Sequence, residues 1–236
     1  MFAFVRTAAF ALLIVALAPS AASAQGHQPG QFDFYVLALS WSPSFCKETE
    51  ERGRQSNEQC RGRPYAFVVH GLWPQYERGF PRDCQVPAPR LNRELMTSML
   101  DLMPAPRLVY HEWDQHGTCS GLAAQAYFDL VRKAREAVKI PEPYASPKAT
   151  LTVTPDEVED AFVKANPGLS RSGIAVTCGS TRLSEVRVCM GKDLKFRECG
   201  EIDRRACRRA VEERFTVDRM ADEYLALYER VLGRSG

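Results

Sequence analysis

The sequence has no excess of charge of either sign. Its 31 lysines and arginines stand against 29 acidic residues, which leaves a formal net charge of +2. A nearly neutral protein has little long-range attraction for a polyanion, so composition alone does not indicate nucleic-acid binding. A polyanionic ligand would therefore have to meet a local cluster of donors, and tight, salt-insensitive binding of long duplexes is not expected.

Long apolar runs are missing beyond the first part of the chain. Arg6 is followed by an apolar run over residues 8–18 and then by Ala22-Ser23-Ala24, which is the pattern of a secretory signal peptide. That run is shorter than the roughly 20 residues that a membrane-spanning helix needs, and no later segment is long and apolar enough. We therefore expect residues 1–24 to be a signal peptide and residues 25–236 to be one soluble domain, secreted or periplasmic and without membrane contact.

No cysteine is left over from pairing, because the chain has eight and all of them follow the expected cleavage site. Exported proteins keep their disulfides, so four bridges are the simplest interpretation, and the even count argues against a free catalytic thiol. Counting does not identify the pairs, since eight cysteines allow about 105 connectivities. The cysteines are Cys46, Cys60, Cys84, Cys119, Cys178, Cys189, Cys199 and Cys207.

Internal repeats, low-complexity tracts and domain linkers are also missing, and the local patterns predict a mixed α+β fold. Four β-rich or apolar runs bounded by turn residues are expected to be core strands. They cover residues 32–39, 66–69, 173–177 and 185–190. The polar stretch 46–64 is expected to be a surface loop closed by a Cys46–Cys60 disulfide.

Helical periodicity predicts amphipathic helices over residues 91–103 and 122–140. Thr154, followed by Pro155 and Glu157, is typical of a capped helix start, and that helix is expected to end at residues 166–168. A last helix is expected over residues 218–232. The predicted buried stripe of the helix at 122–140 consists of Leu122, Ala126, Leu130, Ala134 and Val138.

Histidine is scarce, with four in the whole chain, and three of them lie within one short part of it. His27 is close to the expected cleavage site. His70 ends a strand-like run and is followed by Gly71, which permits a change of direction, and by the rigid apolar pair Trp73-Pro74. An imidazole can donate or accept a proton near neutral pH, so a histidine at a strand end is a candidate for acid–base catalysis. A buried, hydrogen-bonded histidine beside a core tryptophan is the alternative.

The other two histidines belong to the segment from His111 to Cys119. On a helix, Gln115 lies roughly 40°, Glu112 roughly 100° and His116 roughly 140° from His111. Four side chains that exchange protons or form hydrogen bonds would therefore share one face, which is unusual for a packing face. Gly117 is expected to end this helix.

A zinc site is the alternative chemistry for this segment, because histidines four residues apart on a helix form a known zinc motif. Here His111 and His116 are five apart and diverge by about 140°, which does not suit that ligation. We therefore expect neither a metal nor another cofactor.

Together the two segments resemble the active-site signatures of the ribonuclease T2 family. The first is His70-Gly71-Leu72-Trp73-Pro74, and the second runs from His111-Glu112-Trp113 through His116-Gly117-Thr118-Cys119. The context at residues 37–46 and the cysteine-rich region at 178–207 are also similar to the family, so the resemblance covers about residues 32–207. It implies an α+β fold with a central antiparallel sheet, several flanking helices and disulfide bonds.

The resemblance further implies an endoribonuclease that acts on single-stranded RNA without a metal. Nothing in the sequence suggests an oligomer, so a monomer without an obligate protein partner is expected. His116 would be the general base and His70 the general acid, while His111 and Glu112 would bind the phosphate. A 2′,3′-cyclic phosphate would form first and then be hydrolysed. The rival hypotheses are a zinc hydrolase and a secreted, disulfide-rich binding protein that has lost efficient turnover.

Several further expectations follow from the resemblance. Trp73 and Gln75 are candidates for binding a base, with core packing and a solvated loop as their respective alternatives, and stacking predicts broad base specificity. Gln115 stands where the family often has a lysine, so one positive donor is missing and Gln115→Lys is expected to raise turnover. Independently of the resemblance, Trp113 lies off the shared helical face and is expected in the core. The basic run 204–209 could guide RNA, but the acidic residues around it favour a solvated, locally neutralised surface. The implied disulfides are Cys84–Cys119, Cys178–Cys207 and Cys189–Cys199.

Overall fold

The computed structural model describes residues 27–54, 58–61, 65–179 and 182–200. Three expectations fall outside these ranges and stay predictions: the signal peptide at 1–24, the basic run at 204–209 and the helix at 218–232. Cys207 lies outside them as well. None of the helices within the described ranges is both long and apolar enough to cross a membrane.

Four strands form one antiparallel sheet with the order β2-β1-β4-β3. The four predicted strands are therefore confirmed, with boundaries that differ by several residues, as is the α+β fold with a central antiparallel sheet. The strand β1 is central, and its residues from Phe34 to Leu39 are buried on both faces, which explains its continuous apolar run. The strands are β1 (Phe34–Trp41), β2 (Phe67–Gln75), β3 (Ile174–Cys178) and β4 (Leu183–Met190).

The two faces of the sheet pack against different sets of side chains. Tyr35, Leu37 and Leu39 of β1 belong to the main hydrophobic core, together with buried aromatic side chains from the helices. Phe34 and Val36 alternate with them and point to the opposite side, which we call the second face. The helices are α1 (Ser42–Glu51), α2 (Arg93–Ser98), α3 (Pro106–Gln115), α4 (Ala124–Ala137), α5 (Glu142–Ala145) and α6 (Pro155–Ala165).

The predicted helix start at Thr154 is confirmed in full. The Thr154 side chain accepts a hydrogen bond from the Glu157 backbone, and the Glu157 carboxylate accepts one in return from the Thr154 backbone. Such a capping box satisfies two backbone donors that the first turn of a helix leaves unpaired. The helix ends at Ala165, one residue before the expected stop.

Other helix predictions need correction. The predicted loop at 46–64 begins inside α1. Pro43, one of the turn residues expected to bound the first strand, lies instead in the first turn of this helix. The expected helix at 91–103 is only the six-residue α2, followed by turns. Leu122 lies before the start of α4 and is exposed. Ala126 lies within α4 but is also exposed, because steps of four residues rotate by about 40° each and leave the buried side. The buried stripe of α4 is Tyr127, Phe128, Val131 and Ala134.

Three of the four expected disulfides are present among the described residues. They join Cys46 to Cys60, Cys84 to Cys119, and Cys189 to Cys199. The Cys178–Cys207 pair stays a prediction, because Cys207 lies outside the described ranges.

Candidate active site

His70 occupies an irregular position in β2. Ala38 of β1 pairs with Gly71 and Leu39 pairs with Val69, so His70 is the extra residue of a β-bulge. Bulges redirect side chains and are frequent beside functional sites. His70 does not end the strand as expected, since β2 continues through Pro74 to Gln75. A proline is tolerated there because β2 is an edge strand.

Gly71 is required because the Glu112 carboxylate and the Trp73 indole pack directly against its backbone, and not because the chain changes direction there. A Cβ atom at this position would lie 2.8 Å from Cδ of Glu112 and would also overlap Nε1 of Trp73. The glycine therefore lets a buried carboxylate from α3 reach the second face of the sheet next to His70.

The helix α3 has one side in the core and one side at the site. Trp113 is buried as expected, and its indole donates to the Pro89 carbonyl over 2.7 Å. Glu112 is also buried, with 1% of its surface exposed, whereas its neighbour His111 is exposed. The expected shared helical face is therefore divided between a buried carboxylate and a surface imidazole.

His116 lies just beyond α3, which corrects the helical-wheel prediction. The helix ends at Gln115, and His116 has φ −123° and ψ −44°, so its direction is not set by helical geometry. Gly117 does not end the helix; it begins the 3-10 helix Gly117–Ser120. A Cβ on Gly117 would lie 2.6 Å from Trp113 Cε3, so this glycine allows the turn to pack on the core.

Trp73 is the centre of the candidate site. Its indole Nε1 donates to Glu112 Oε2 over 2.6 Å. The His70 ring meets Trp73 edge-on with centroids 5.2 Å apart, and the His116 ring lies 5.5 Å from the same indole. The structure thus brings together four residues from the two sequence signatures, as predicted.

The two imidazoles are in opposite electrostatic environments. Burial lowers the pKa of His116 to about 4, with the nearby His111 and His70 contributing, and its Nδ1 has no hydrogen-bond partner among the described residues. Burial also opposes protonation of His70, but the hydrogen bond and charge of Glu185 and the charge of Glu112 raise its pKa overall. At mildly acidic pH, His116 is therefore neutral and His70 protonated.

Glu112 is a carboxyl group with weakened acidity. Burial raises its pKa to about 7, although the charge of His70 and the hydrogen bond from Trp73 oppose that shift. Its Oε1 lies 3.6 Å from Nε2 of His70. Near neutral pH this group can therefore be present in a protonated form that donates a hydrogen bond.

Two residues of β4 belong to the site although no sequence pattern indicated them. Glu185 Oε1 forms a short hydrogen bond with Nδ1 of His70, and Arg187 lies over the Trp73 ring at 5.2 Å. The alternation of Glu185 and Arg187 with buried valines indicates that the two share one strand face. No local pattern shows that this face meets His70, because the two segments are over a hundred residues apart in the sequence.

Two candidate residues, Gln75 and Gln115, have other hydrogen-bond partners, and so does His27. The Gln115 amide donates to Asp83 Oδ1 over 2.6 Å, and the Gln75 amide donates to the Pro74 carbonyl over 2.9 Å. His27 contacts the Tyr76 hydroxyl at 3.2 Å. In the part of the chain that the structure describes, no three His, Cys, Asp or Glu side chains are grouped so that they could hold a metal ion.

Comparison with known proteins decides the family. The profile of the ribonuclease T2 family matches residues 32–199, which include both signatures. This chain belongs to the ribonuclease T2 family. A ribonuclease of Aeromonas hydrophila is 41% identical over 128 residues, which are 53% of this chain and 56% of that protein. A probable ribonuclease of Haemophilus influenzae is 32% identical over 178 residues, which are 71% of this chain and 61% of that protein.

More distant relatives of this ribonuclease T2 family member match along more of their length. Ribonuclease I of Escherichia coli is 27% identical over 239 residues, covering 82% of this chain and 88% of that protein. The crystal structure of RNase NT in complex with 5′-AMP has a TM-score of 0.57 and 26% identity, covering 72% of this chain and 92% of that one. An RNase-related protein from Calystegia sepium shares the fold, with a TM-score of 0.56 and 22% identity over 72% and 92% of the two chains.

Proposed function

We propose that this ribonuclease T2 family member is an endoribonuclease that cleaves single-stranded RNA by acid–base catalysis without a metal. The observation that carries the proposal is that two imidazoles lie against one indole, in environments that favour opposite protonation states. Transphosphorylation needs such a pair, because one group removes a proton and the other supplies one.

In the first step, neutral His116 removes the proton of a ribose 2′-hydroxyl, and the resulting oxygen attacks the adjacent phosphorus. The bond from phosphorus to the 5′ oxygen breaks, and His70 donates its proton to that leaving oxygen. The products are a 2′,3′-cyclic phosphate and a free 5′-hydroxyl. A second step with reversed roles uses water to open the cyclic phosphate and returns both histidines to their starting states.

The phosphate is proposed to lie between the two histidines, with His111 and Glu112 stabilising its additional negative charge. His111 is exposed and close enough to act electrostatically on His116. Glu112 can help in its protonated form, because an ionised carboxylate would repel the phosphate whereas a carboxylic acid donates to it.

Base binding is proposed to be weakly selective. Trp73 is partly exposed beside both histidines, so its ring can offer an apolar surface to any base. Gln75 and Gln115 are polar candidates that would have to leave their present partners, Pro74 and Asp83, to meet a base or a phosphate. The 5′-AMP bound by RNase NT supports a nucleotide site in this family.

Export is part of the proposal: residues 1–24 are a signal peptide, and the single domain 25–236 acts in the periplasm or outside the cell as a monomer. The disulfides of the described residues support an oxidising compartment.

The test is to incubate the mature protein with single-stranded RNA and, in parallel, with DNA of the same sequence. The reactions contain excess chelator and cover mildly acidic to neutral pH. We expect RNA fragments with cyclic-phosphate ends and intact DNA, since DNA lacks the attacking hydroxyl. His70→Ala and His116→Ala should each reduce cleavage by at least about 100-fold. Loss of cleavage on chelation would support the zinc hydrolase, and absence of cleavage at every pH would support the binding protein.

Folding must be controlled in this test. Thr154→Ala is a suitable reference variant, because it removes the cap of α6, outside the site, and should cost about 1 kcal/mol of stability. Its cleavage rate should match that of the wild type at a temperature where both are folded.

A further inference from the structure

Glu185 reaches His70 across an intervening strand. The order β2-β1-β4-β3 places β1 between the strands of these two residues, so their backbones are separated by two strand spacings, about 10 Å. Between the two residues, the side chains that β1 presents on the second face are the small ones of Ala38 and Ser40. Ala38 lies opposite Gly71 of β2, and Ser40 lies opposite Glu185 of β4. The carboxylate and the imidazole can therefore meet above β1.

Arg187 keeps the Glu185 carboxylate ionised and oriented. Its Nε and Nη2 donate to Oε2 of Glu185 over 3.0 and 2.9 Å, which leaves Oε1 to accept from Nδ1 of His70. Burial raises the pKa of Glu185, but the hydrogen bond with His70 and the charges of His70 and Arg187 lower it overall. Only 10% of the carboxylate side chain is exposed, so solvent screens the interaction weakly.

We propose that Glu185 is a positioning residue for the general acid. It accepts the Nδ1–H hydrogen bond of His70, fixes the orientation of the ring, and thereby directs Nε2–H towards the phosphodiester. The partner of one ring nitrogen determines which proton the other carries, so this contact also selects the reactive nitrogen. The inference rests on the proposed function, in which His70 protonates the leaving oxygen.

Other charged groups also face His70, and the test must separate them from Glu185. Glu112 of α3 lies near Nε2, Arg187 of β4 opposes protonation, and His116, just after α3, packs against the same Trp73 ring. Of the two carboxylates, Glu185 alone is within hydrogen-bond distance of the His70 ring. Removing its charge should therefore change the protonation of His70 without removing any group that touches RNA.

The decisive variant is Glu185→Gln, which keeps the size and one acceptor oxygen but removes the charge. An opposite charge at this range shifts a pKa by about 1–3 units, so the alkaline limb of the kcat/KM profile should move to lower pH by at least about 1 unit. At pH values above the shifted limb, kcat/KM should fall at least about tenfold, and much of it should return at lower pH. Glu185→Asp, which keeps the charge, should restore the limb in part.

Glu159→Gln is the matched control. Glu159 is also largely buried, with 15% of its side chain exposed, and it pairs with Arg171 outside the site. We expect it to lose stability without any movement of the alkaline limb. If Glu185→Gln lowers activity by the same factor at every pH, Glu185 has only a structural role and the inference is wrong.

Titration of the His70 ring by NMR in RNA-free protein separates this inference from the proposed function. A lower His70 pKa in Glu185→Gln than in the wild type supports the pairing, and an unchanged pKa overturns it. If the wild type cleaves RNA but the His70 pKa does not respond, the inference fails and the function stands. If the wild type never cleaves RNA, the proposed function fails, and with it the catalytic role of Glu185.

Discussion

At the scale of single residues, the site depends on unequal proton affinities of two identical side chains. Burial lowers the pKa of His116 to about 4, and its Nδ1 has no hydrogen-bond partner in the described part of the chain. His70 meets carboxylates at both ring nitrogens, so its pKa rises despite its partial burial. The imidazole of His116 is thereby suited to accept a proton, and the imidazole of His70 is suited to donate one.

These opposite shifts predict a bell-shaped pH profile. The base must be neutral, so kcat/KM should rise as pH increases through about 4, the pKa of His116. The acid must be protonated, so kcat/KM should fall as pH increases through the raised pKa of His70, above its ordinary value near 6.5, and ionisation of Glu112, with a pKa of about 7, should add to that fall. Initial rates on a dinucleotide between pH 3 and pH 9 measure both limbs. A maximum on the alkaline side of pH 8 would contradict the assignment.

The second prediction at this scale concerns the replacement of Gln115 by lysine. Its amide is held by Asp83, and a lysine at the same position would provide a charged donor near His116. We expect Gln115→Lys to raise kcat, and we expect Asp83→Asn in the same variant to raise it further, because the lysine then lacks a competing carboxylate. Steady-state kinetics on RNA decide the matter, and an unchanged or lower kcat would refute the idea.

The residue scale also shows what local sequence can and cannot predict. His70, Glu112 and His116 were recognisable because each lies in a short signature whose residue types are unusual together. Glu185 was not, because its contact with His70 depends on the order of strands in the sheet. The direction of His116 was predicted wrongly, because the helix ends one residue earlier than a wheel assumes.

At the scale of secondary-structure elements, a disulfide joins the two halves of the site. Cys84 lies in the loop between β2 and α2, and its partner Cys119 lies in the short helix just after His116. Asp83 and Gln115, next to this bridge, add a backbone hydrogen bond of 2.9 Å. The bridge therefore limits how far the two signatures can separate.

We expect the double variant Cys84→Ala/Cys119→Ala to lose about 2–4 kcal/mol of stability and to lose activity even where it remains folded. Cys46→Ala/Cys60→Ala is the control, since it opens a bridge outside the site with a sequence separation of 14 instead of 35. Urea unfolding and kcat/KM measured on the same samples distinguish the two effects. Equal catalytic losses in both variants would show that the bridge near His116 has no special part in catalysis.

Element predictions succeeded where a pattern was local and complete, as at the capping box of Thr154. They failed where the same sequence pattern is compatible with two different structures. Pro43 suits the end of a strand as well as the first turn of a helix, and the structure has it in the helix α1. The apolar stripe of α4 lies where Tyr127 and Phe128 face the core, because two adjacent aromatics bury more surface than the alanines of the expected stripe.

At the scale of the whole molecule, the near balance of charge separates this protein from strongly basic nucleic-acid binders. With a formal net charge of +2, long-range steering of RNA should be weak. We expect kcat/KM on a short RNA to change less than about tenfold between 50 and 200 mM salt, whereas six to ten phosphate contacts would change affinity by about 10³–10⁵. A dependence as steep as that would show that RNA contacts a local cluster of basic residues.

The bulge in β2 has a consequence for how this scaffold can vary. In a regular strand, Val69 and Leu72 could not both face the core, because residues three apart point to opposite sides. The additional residue resolves that conflict, and it is the one that carries the imidazole. Deleting position 70 would straighten the strand and preserve the interior, so a relative could keep this architecture while giving up its chemistry in a single step.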